Sequence, residues 1–455
     1  MSGRGSSGRT DRVATKYAGR EGTQPPTMTY AVESDIGATK RQSGGVNEDS
    51  AGVVPLTLTV DGTDHTAEIV VVADGAGGHD AGEVASYLAV NRVVERLVEA
   101  VTTPTAHDLS SLEGRIDAPF RATPAEVEEA IEAAIEAANE DILSFCAEER
   151  TEAHTTVVAG VRIGGRLHYG WVGDSPIYLI NRRHDRIERL THDHSTVQED
   201  IDAGAIDEVA ALVHPHSNQL QRALGGSQYV NAENRTVDVE TETVELFAED
   251  VLLVASDGLV DAHAVGPRPD ELFEAYRDAE AGSRREREVA ADIREFAVTI
   301  DDIKSRVLDV ADLNRAATAL IEMANEYGGK DNVTVALLQS TALQSTPEQY
   351  PTRGWNADDI SSQPTVVEER GTADSAAGEE SDGAVEASQR RDRGATSAAE
   401  SEPASDAKPK PESESEPRSD TQIGRDRRNR DDRETEAETR TEGGFWASLW
   451  RWLRR

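Results

Sequence analysis

Four apolar, strand-like runs each meet an aspartate at one end, and a fifth aspartate comes from an adjoining loop. The four are Asp74, Asp174, Asp257 and Asp331, and the fifth is Asp49. Carboxylates crowded at sheet ends repel one another, and a hard divalent cation removes that repulsion. Oxygen ligands without cysteine favour Mg²⁺ or Mn²⁺ over zinc. Two such ions about 4 Å apart share a bridging carboxylate and turn a bound water into a hydroxide nucleophile, which predicts in-line attack on phosphorus.

Asp74 opens the glycine-dense turn on which this prediction is centred. The β-branched run Ile69–Val72 before it predicts a buried strand. The apolar spacing after Glu83 predicts a helix. A single Asp-Gly turn is common and carries little information. The prediction therefore depends on all five aspartates together.

The composition restricts the class of partner and the compartment. The net charge is -39, from 86 Asp+Glu against 47 Lys+Arg, which argues against nucleic acid and favours a protein kept soluble at high salt in a halophile. The single cysteine, Cys146, excludes an internal disulfide and is interpreted as a small core residue. Neither a secretory signal peptide nor an apolar run near 18 residues is present, so we expect a cytoplasmic protein.

Four segments divide the chain. Residues 1–27 lack periodicity and are predicted to be disordered, with Met28 as an alternative start. Residues 28–340 form the predicted folded domain, and residues 341–443 an acidic disordered linker. Residues 444–455 place aromatic and leucine side chains on one helical face and arginines on the other, which favours docking to the inner membrane surface or to a protein groove.

Eight short motifs between residues 30 and 340 carry a family resemblance. Because these motifs occur in the family's order, the chain resembles the metal-dependent protein phosphatase 2C (PPM) family of serine/threonine phosphatases, especially its prokaryotic members. The motifs are Asn47-Glu48-Asp49-Ser50, Ala73-Asp74-Gly75 with Gly77-Gly78-His79 and Gly82-Glu83, Thr155-Thr156-Val157-Val158, Gly173-Asp174-Ser175, Leu190-Thr191 with Asp193-His194-Ser195, Arg222-Ala223-Leu224-Gly225, Ser256-Asp257-Gly258-Leu259, and Gly329 with Asp331-Asn332-Val333-Thr334.

The resemblance implies an α+β fold, an α-β-β-α sandwich of two antiparallel sheets flanked by helices, with two Mn²⁺ or Mg²⁺ ions at one end. It assigns metal binding to five residues, orientation of metal-bound water to Glu48, and a third, weaker ion to Asp174. The five are Asp49, Asp74 as the bridge, Gly75 through its carbonyl, Asp257 and Asp331. It also makes residues 196–222 a flap beside the active site.

The phosphate-binding and proton-donating positions depart from the family pattern. Gly44 stands where many relatives have a phosphate-binding arginine, and we assign that role to Arg41, with Lys40 as the other candidate in the loop. Ala76 stands where animal enzymes have a general-acid histidine, and His79 is the candidate proton donor nearby. Pro176 replaces the usual arginine after Gly-Asp-Ser and is expected to affect substrate contacts.

The spacing of four histidines leaves a zinc site open as an alternative. Two His-x-His pairs suggest zinc, but alternate loop residues seldom close a zinc site and no cysteines support them. The pairs are His192/His194 and His214/His216.

The sequence therefore predicts a phosphoserine/phosphothreonine protein phosphatase acting on substrates of a Ser/Thr kinase. A pseudophosphatase that binds phosphoproteins without hydrolysing them is the alternative from another class. A regulatory phosphatase acting on a partner-switching antagonist would use the same chemistry. The charged helical stretch over about 269–327 has no assigned role and is interpreted, around 269–315, as an insertion.

Overall fold

A computed structural model gives the structure of the chain and describes residues 28–60, 63–76, 81–102, 123–217, 219–227, 236–264, 266 and 268–353. The predictions for 1–27, His79 and 444–455 fall outside these residues. The strands are β1 Met28–Asp35, β2 Ser50–Val60, β3 Thr63–Ala73, β4 Gly75–Ala76, β5 Glu152–Thr155, β6 Val157–Ile163, β7 Arg166–Val172, β8 Ile177–Asn181, β9 Arg186–Arg189, β10 Leu224–Ser227, β11 Glu240–Glu245, β12 Asp250–Ala255 and β13 Val333–Ser340. The helices are α1 Ala38–Gln42, α2 Gly82–Thr102, α3 Pro124–Glu149, α4 Thr196–Asp202, α5 Glu208–Ala211, α6 Pro269–Arg277, α7 Arg284–Phe296, α8 Ile300–Leu308 and α9 Leu313–Glu326.

Two five-stranded antiparallel sheets form the centre of the fold. Sheet 1 has the order β11-β7-β6-β3-β2, and sheet 2 has the order β1-β13-β12-β8-β9. Alternate residues of β3 face opposite ways, so Val70 and Val72 enter the core between the sheets while Ile69 and Val71 face outward. Both pairs are buried, which explains why the run is apolar throughout rather than alternating.

Helices cover the outer faces of both sheets. On sheet 1, α2 packs against β3 and α3 against β7. On sheet 2, α8 and α9 close a second core through residues such as Ile303 and Leu320. The predicted α-β-β-α sandwich is confirmed, with a small third sheet, β10-β5-β4, added beside sheet 1. Cys146 is buried on α3, as expected of a core residue. In the described part of the chain, no helix is both long and apolar enough to cross a membrane.

The residues Thr123, Pro124 and Glu126 predict a helix that starts with a reciprocal capping box, and α3 begins there with a different cap. Pro124 occupies the first turn after the N-cap residue Thr123. The expected reciprocal capping box is absent at Thr123, because its hydroxyl donates to the Glu126 carboxylate at 2.5 Å instead of accepting a backbone N–H. Pro124 already fixes the first turn, so the helix start does not depend on that box.

The charged stretch after residue 268 consists of four helices instead of one continuous helix. Two of them, α8 and α9, are part of the sandwich. The other two, α6 and α7, pack on the 196–222 segment through a separate apolar cluster, which includes Val213, Leu272 and Ile293. Helices α6 and α7 therefore lie outside the sandwich and support the 196–222 segment.

The folded domain extends beyond the predicted boundary at 340. Thr346 accepts a hydrogen bond from Asn181 Nδ2 at 2.8 Å. Arg353 forms a bidentate pair with Asp250, and both side chains are almost fully buried (5% and 2% exposed). Residues 341–353 are polar, which favours a linker by composition, but their polar groups find partners on sheet 2. The described fold therefore includes residues 341–353.

Candidate active site

Strand pairing brings the five aspartates to one end of the two sheets. Ser50 pairs with Ala73, so Asp49 and Asp74 lie side by side at the end of sheet 1. In sheet 2, Ala255 pairs with Val335, which places the residues after β12 beside those before β13. The serine before Asp257 ties the sheets together, because Ser256 Oγ donates to Asp49 Oδ2 at 2.7 Å. The prediction of one acidic cluster therefore agrees with the topology.

Backbone contacts fix the Asp74 turn. The Asp74 N–H donates to Thr156 Oγ1 at 3.0 Å, and its carbonyl accepts from the Thr156 N–H at 2.9 Å. The Gly75 N–H donates to the Glu48 carbonyl at 3.2 Å. A Cβ on Gly75 would lie 2.6 Å from that same oxygen and 2.2 Å from the Gly82 carbonyl oxygen. Only glycine allows the Glu48 and Asp74 loops to approach this closely.

Burial and mutual repulsion raise the carboxyl pKa values in the cluster. Burial raises the pKa of Asp49 to about 7, and the charges of Asp257 and Asp331 act in the same direction. Burial raises the pKa of Asp74 well above its usual value, with Asp257 and Asp49 adding to the effect. Burial likewise raises the pKa of Asp174, together with the charge of Asp257. Carboxylates with raised pKa values in one place indicate a functional site.

The oxygen atoms of these side chains fit a divalent cation. Among the described residues, Asp49 Oδ1, Asp174 Oδ1 and Asp257 Oδ1 are buried without a hydrogen-bond partner. Leaving a buried charged acceptor without a hydrogen-bond partner costs on the order of 1–3 kcal/mol or more. A hard cation bound by carboxylate oxygens would satisfy these atoms and lower the repulsion between them. The donor set suits Mg²⁺ or Mn²⁺.

The two cations in helix α1 have different partners. Lys40 Nζ lies 2.6 Å from Asp331 Oδ1, 2.9 Å from Glu48 Oε2 and 2.8 Å from Asn332 Oδ1. Arg41 instead pairs with Asp35 at 2.6 Å on the other side of the helix, with half of its side chain exposed. The structure thus brings Lys40 to the cluster and leaves Arg41, the predicted phosphate ligand, outside it.

The remaining substituted positions lie around this cluster. Gly44 has φ +82° and open space around it, so a longer side chain there would be strained by its backbone. Ala76 is exposed at the end of β4, which leaves room beside the Asp74 turn. Pro176 accepts a backbone hydrogen bond from Ala255 at 3.1 Å and joins β8 to β12.

Asp261, Asp193 and Arg189 extend the cluster and were not predicted as site residues. The Asp261 N–H donates to the Asp257 carbonyl at 2.8 Å, so the two carboxylates stand one turn apart. Burial raises the pKa of Asp261 well above its usual value, with the charges of Asp257 and Asp193 adding to it. Arg189 pairs with Asp193 and supplies a partly buried positive charge nearby. The i, i+4 spacing of 257 and 261 was the available signal.

The two histidine pairs have different surroundings. His192 and His194 approach Glu240, whose ligand atoms lie within 4.8 Å of theirs. His214 Nδ1 accepts the His216 N–H at 3.2 Å, and its ring packs edge-on against Phe273. The second pair therefore stabilises its own loop.

Comparison with known proteins gives the family. A sequence profile described as protein phosphatase 2C matches residues 36–296. The serine/threonine phosphatase stp of Listeria innocua is 30% identical over 300 residues, which cover 66% of this chain and 92% of that protein. The serine/threonine protein phosphatase PstP of Mycobacterium tuberculosis is 29% identical over 313 residues, 68% of this chain and 44% of that protein. The crystal structure of M. tuberculosis PstP/Ppp covers 70% of this chain and 99% of its own at 26% identity and a TM-score of 0.47.

The profile match alone spans more than half of the 455 residues. The match to the Listeria protein includes nearly all of that protein. The chain therefore belongs to the protein phosphatase 2C family of metal-dependent serine/threonine phosphatases, and it is a phosphoprotein phosphatase of the bacterial type.

Proposed function

We propose that this chain hydrolyses phosphoserine and phosphothreonine in proteins with two divalent ions held by the acidic cluster. The observation that carries the proposal is the set of buried carboxylate oxygens without partners at Asp49, Asp174 and Asp257. Asp49, Asp74, Asp257 and Asp331, with the Gly75 carbonyl, would hold Mn²⁺ or Mg²⁺, and Asp174 a third ion. When bound, these ions supply an activated water and neutralise charge on the phosphoryl group.

The chain's own residues set the geometry of this site. Ser256 orients Asp49 by its hydrogen bond, and Thr334 N–H in turn donates to Ser256 Oγ at 2.9 Å. Glu48, held by Lys40, would orient water at the cluster. Preorganised groups of this kind lower the barrier without moving during the reaction.

The test is hydrolysis of p-nitrophenyl phosphate and a phosphothreonine peptide, with Mn²⁺ or EDTA, at low and high salt. Asp257→Asn should lose about 100-fold or more in kcat/KM, because ion-assisted charge stabilisation is worth several kcal/mol. Asp292→Asn, which changes an exposed aspartate on α7, is the matched control. Mn²⁺ binding by the wild type without turnover would instead support the phosphoprotein-binding pseudophosphatase, which no residue of the cluster favours.

Three finer features of the proposal concern substrates, setting and location. The substrates would be proteins phosphorylated by a Ser/Thr kinase. The strongly acidic composition supports work at high salt. The aromatic and arginine pattern of residues 444–455 supports docking to a membrane surface. Deleting 444–455 and fractionating cells would test that docking, and an unchanged distribution between membrane and soluble fractions would contradict it.

A further inference from the structure

Glu240, at the start of β11, lies at the centre of a polar cluster beside the Asp174 turn. Its Oε1 is 3.0 Å from His194 Nε2, and its Oε2 is 3.0 Å from His192 Nε2. Arg222 Nη1 also contacts Oε1 at 2.8 Å. We call these four residues the Glu240 cluster. It joins the end of the 196–222 segment to the loop that follows β9.

The hydrogen bonds of His194 argue against a metal ion in the Glu240 cluster. His194 Nδ1 accepts the Gly173 N–H at 3.1 Å, so the ring carries its proton on Nε2 and directs it at Glu240. A metal ligand would need a lone pair at that nitrogen. Arg222 Nη1 is also only 3.4 Å from His194 Nε2, which puts a fixed positive charge in the same space.

On the side of the active site, His194 holds the Gly173–Asp174 turn at two points. Besides the bond to its ring, Gly173 accepts the His194 backbone N–H at 3.0 Å. Gly173 has φ +112°, and a Cβ there would lie 2.6 Å from Thr156 Cγ2. Only glycine fits this close turn, and His194 connects it to Glu240.

On the side of the 196–222 segment, the two ends of the segment pair with each other next to His194. The Gln221 N–H donates to the His194 carbonyl at 2.8 Å, and the Thr196 N–H donates to Gln219 at 3.3 Å. Ser195 and Leu220 form an isolated antiparallel bridge between these ends. A shift of the segment would act first on His194 and Arg222.

Trp171 holds both histidines of the Glu240 cluster in place. Its ring stacks on His194 with 5.9 Å between centroids and 16° between planes. Its Nε1–H donates to the His192 carbonyl at 2.9 Å. The histidines are thus held by an aromatic side chain that is almost fully buried.

We propose that Glu240 is a positioning residue that couples the 196–222 segment to the Asp174 turn. Through its hydrogen bonds to His194 and Arg222, the placement of the segment against a phosphoprotein and the binding of a divalent ion by Asp174 favour each other. The inference rests on the proposed function and adds a linkage between two parts of that site.

The test compares Glu240→Gln with Glu242→Gln in the full chain. The Glu240 carboxylate accepts hydrogen bonds from two imidazoles and a guanidinium. Glutamine replaces one of the two carboxylate oxygens with an N–H₂ donor, so at least one of these three groups loses its acceptor. Glu242, two residues along β11, accepts from Tyr169 Oη at 2.7 Å and is a control on the same strand. Two quantities are measured: Mn²⁺ binding by isothermal titration calorimetry, and cleavage within 203–217 under limited proteolysis.

In Glu240→Gln we expect the weakest Mn²⁺ site to lose about 10-fold or more in affinity, the usual effect of removing a group that orients a ligand. The tighter sites should keep their affinity, and cleavage within 203–217 should be faster. By reciprocity, Asp174→Asn should also speed that cleavage in Mn²⁺. Arg222→Gln, which leaves both histidine bonds in place, should shift both quantities in the same direction and guards against misfolding of Glu240→Gln.

Three results would overturn the linkage alone. Unchanged Mn²⁺ binding and cleavage in Glu240→Gln would do so while leaving the proposed function intact. Equal effects of Glu242→Gln would assign the changes to general loosening of β11. One-to-one Zn²⁺ binding that Glu240→Gln abolishes, with Mn²⁺ binding unchanged, would make the cluster a metal site. A wild-type chain that binds no Mn²⁺ would instead overturn the proposed function, and the linkage with it.

Discussion

Lys40 and Arg41 show how neighbouring cations acquire different roles from their contacts. Burial opposes the charge of Lys40, but its hydrogen bonds to Asp331 and Glu48 raise its pKa above the usual value. A permanently charged ammonium therefore lies at the edge of the acidic cluster with 20% of its side chain exposed. Arg41 is held by Asp35 instead. Both residue types suit phosphate, so only the geometry separates them.

We predict that Lys40→Gln raises the KM for a phosphopeptide by about 10-fold, since a charge-assisted hydrogen bond is worth roughly 1.5 kcal/mol or more. Arg41→Gln is the matched control and should change KM little. Steady-state kinetics at saturating Mn²⁺ measures both. A larger effect from Arg41 than from Lys40 would contradict the assignment and return the phosphate-binding role to Arg41.

At the scale of elements, β3 and β6 share a buried ion pair. Glu68 and Arg162 are direct cross-strand partners, with 3% and 8% of their side chains exposed. The guanidinium also donates to Thr66 Oγ1 at 2.8 Å and to the Gly164 carbonyl at 2.5 Å. Arg162 has acceptors beyond Glu68, yet its main counter-charge is that one carboxylate.

Glu68→Leu should therefore lower the free energy of unfolding by about 3–5 kcal/mol, because it leaves a buried guanidinium without its counter-charge. Urea denaturation measures the loss. The double variant Glu68→Leu/Arg162→Leu should recover most of it, since the charge that needs compensation is gone. A double variant as unstable as the single one would show that packing, not charge, is the cause.

His168 on β7 gives sheet 1 a dependence on pH. Its Nδ1–H donates to Thr243 Oγ1 at 2.7 Å, and that hydroxyl donates to Glu128 of α3 at 2.6 Å. Burial lowers the pKa of His168 below its ordinary 6.5, against a smaller opposite effect of Glu128. The unfolded chain then binds more protons than the folded chain in the window just below 6.5, so stability falls on acidification.

We expect His168→Gln to show a smaller drop in melting temperature between about pH 7.5 and about pH 5 than the wild type. His65→Gln, on strand β3 of the same sheet, is the control. Differential scanning fluorimetry in EDTA measures the difference. An unchanged drop in His168→Gln would place the acid sensitivity elsewhere in the chain.

Strand and helix positions followed from local pattern, whereas long-range partners did not. The apolar run before Asp74 and the Pro124 start of α3 were predictable because they depend on neighbours in sequence. Glu240 is polar and unremarkable in sequence, and only the pairing of β11 with β7 brings it to His194. Lys40 and Arg41 were likewise equivalent until α1 fixed their directions.

At the scale of the whole molecule, an arginine from a stretch that composition assigns to a linker pairs with sheet 2. Arg353 lies 5.0 Å from the Phe247 ring and binds both oxygens of Asp250. Composition predicts disorder from residue 341 because the stretch has few apolar residues. A prediction of this kind does not include acidic partners on sheet 2.

We predict that a chain ending at Arg353 melts at a higher temperature than a chain ending at Ser345. The shorter chain leaves Asp250 buried without its arginine, and a lost buried partner costs about 3–5 kcal/mol. Thermal denaturation of the two truncations measures the difference, with Arg353→Met in the longer chain as a control that should reproduce most of the loss. Equal melting temperatures would contradict a stabilising role for 346–353.

The Arg353–Asp250 pair also determines at which end of the folded domain a surface or fusion partner can be attached. Arg353 is anchored on Asp250, the first residue of β12, whereas Asp257 comes two residues after the strand's last residue, Ala255. Seven residues of extended chain separate these points by roughly 23 Å. A surface, resin or fusion partner joined just after residue 353 would therefore attach at the end of the domain opposite its carboxylates. The active site would then face the solution.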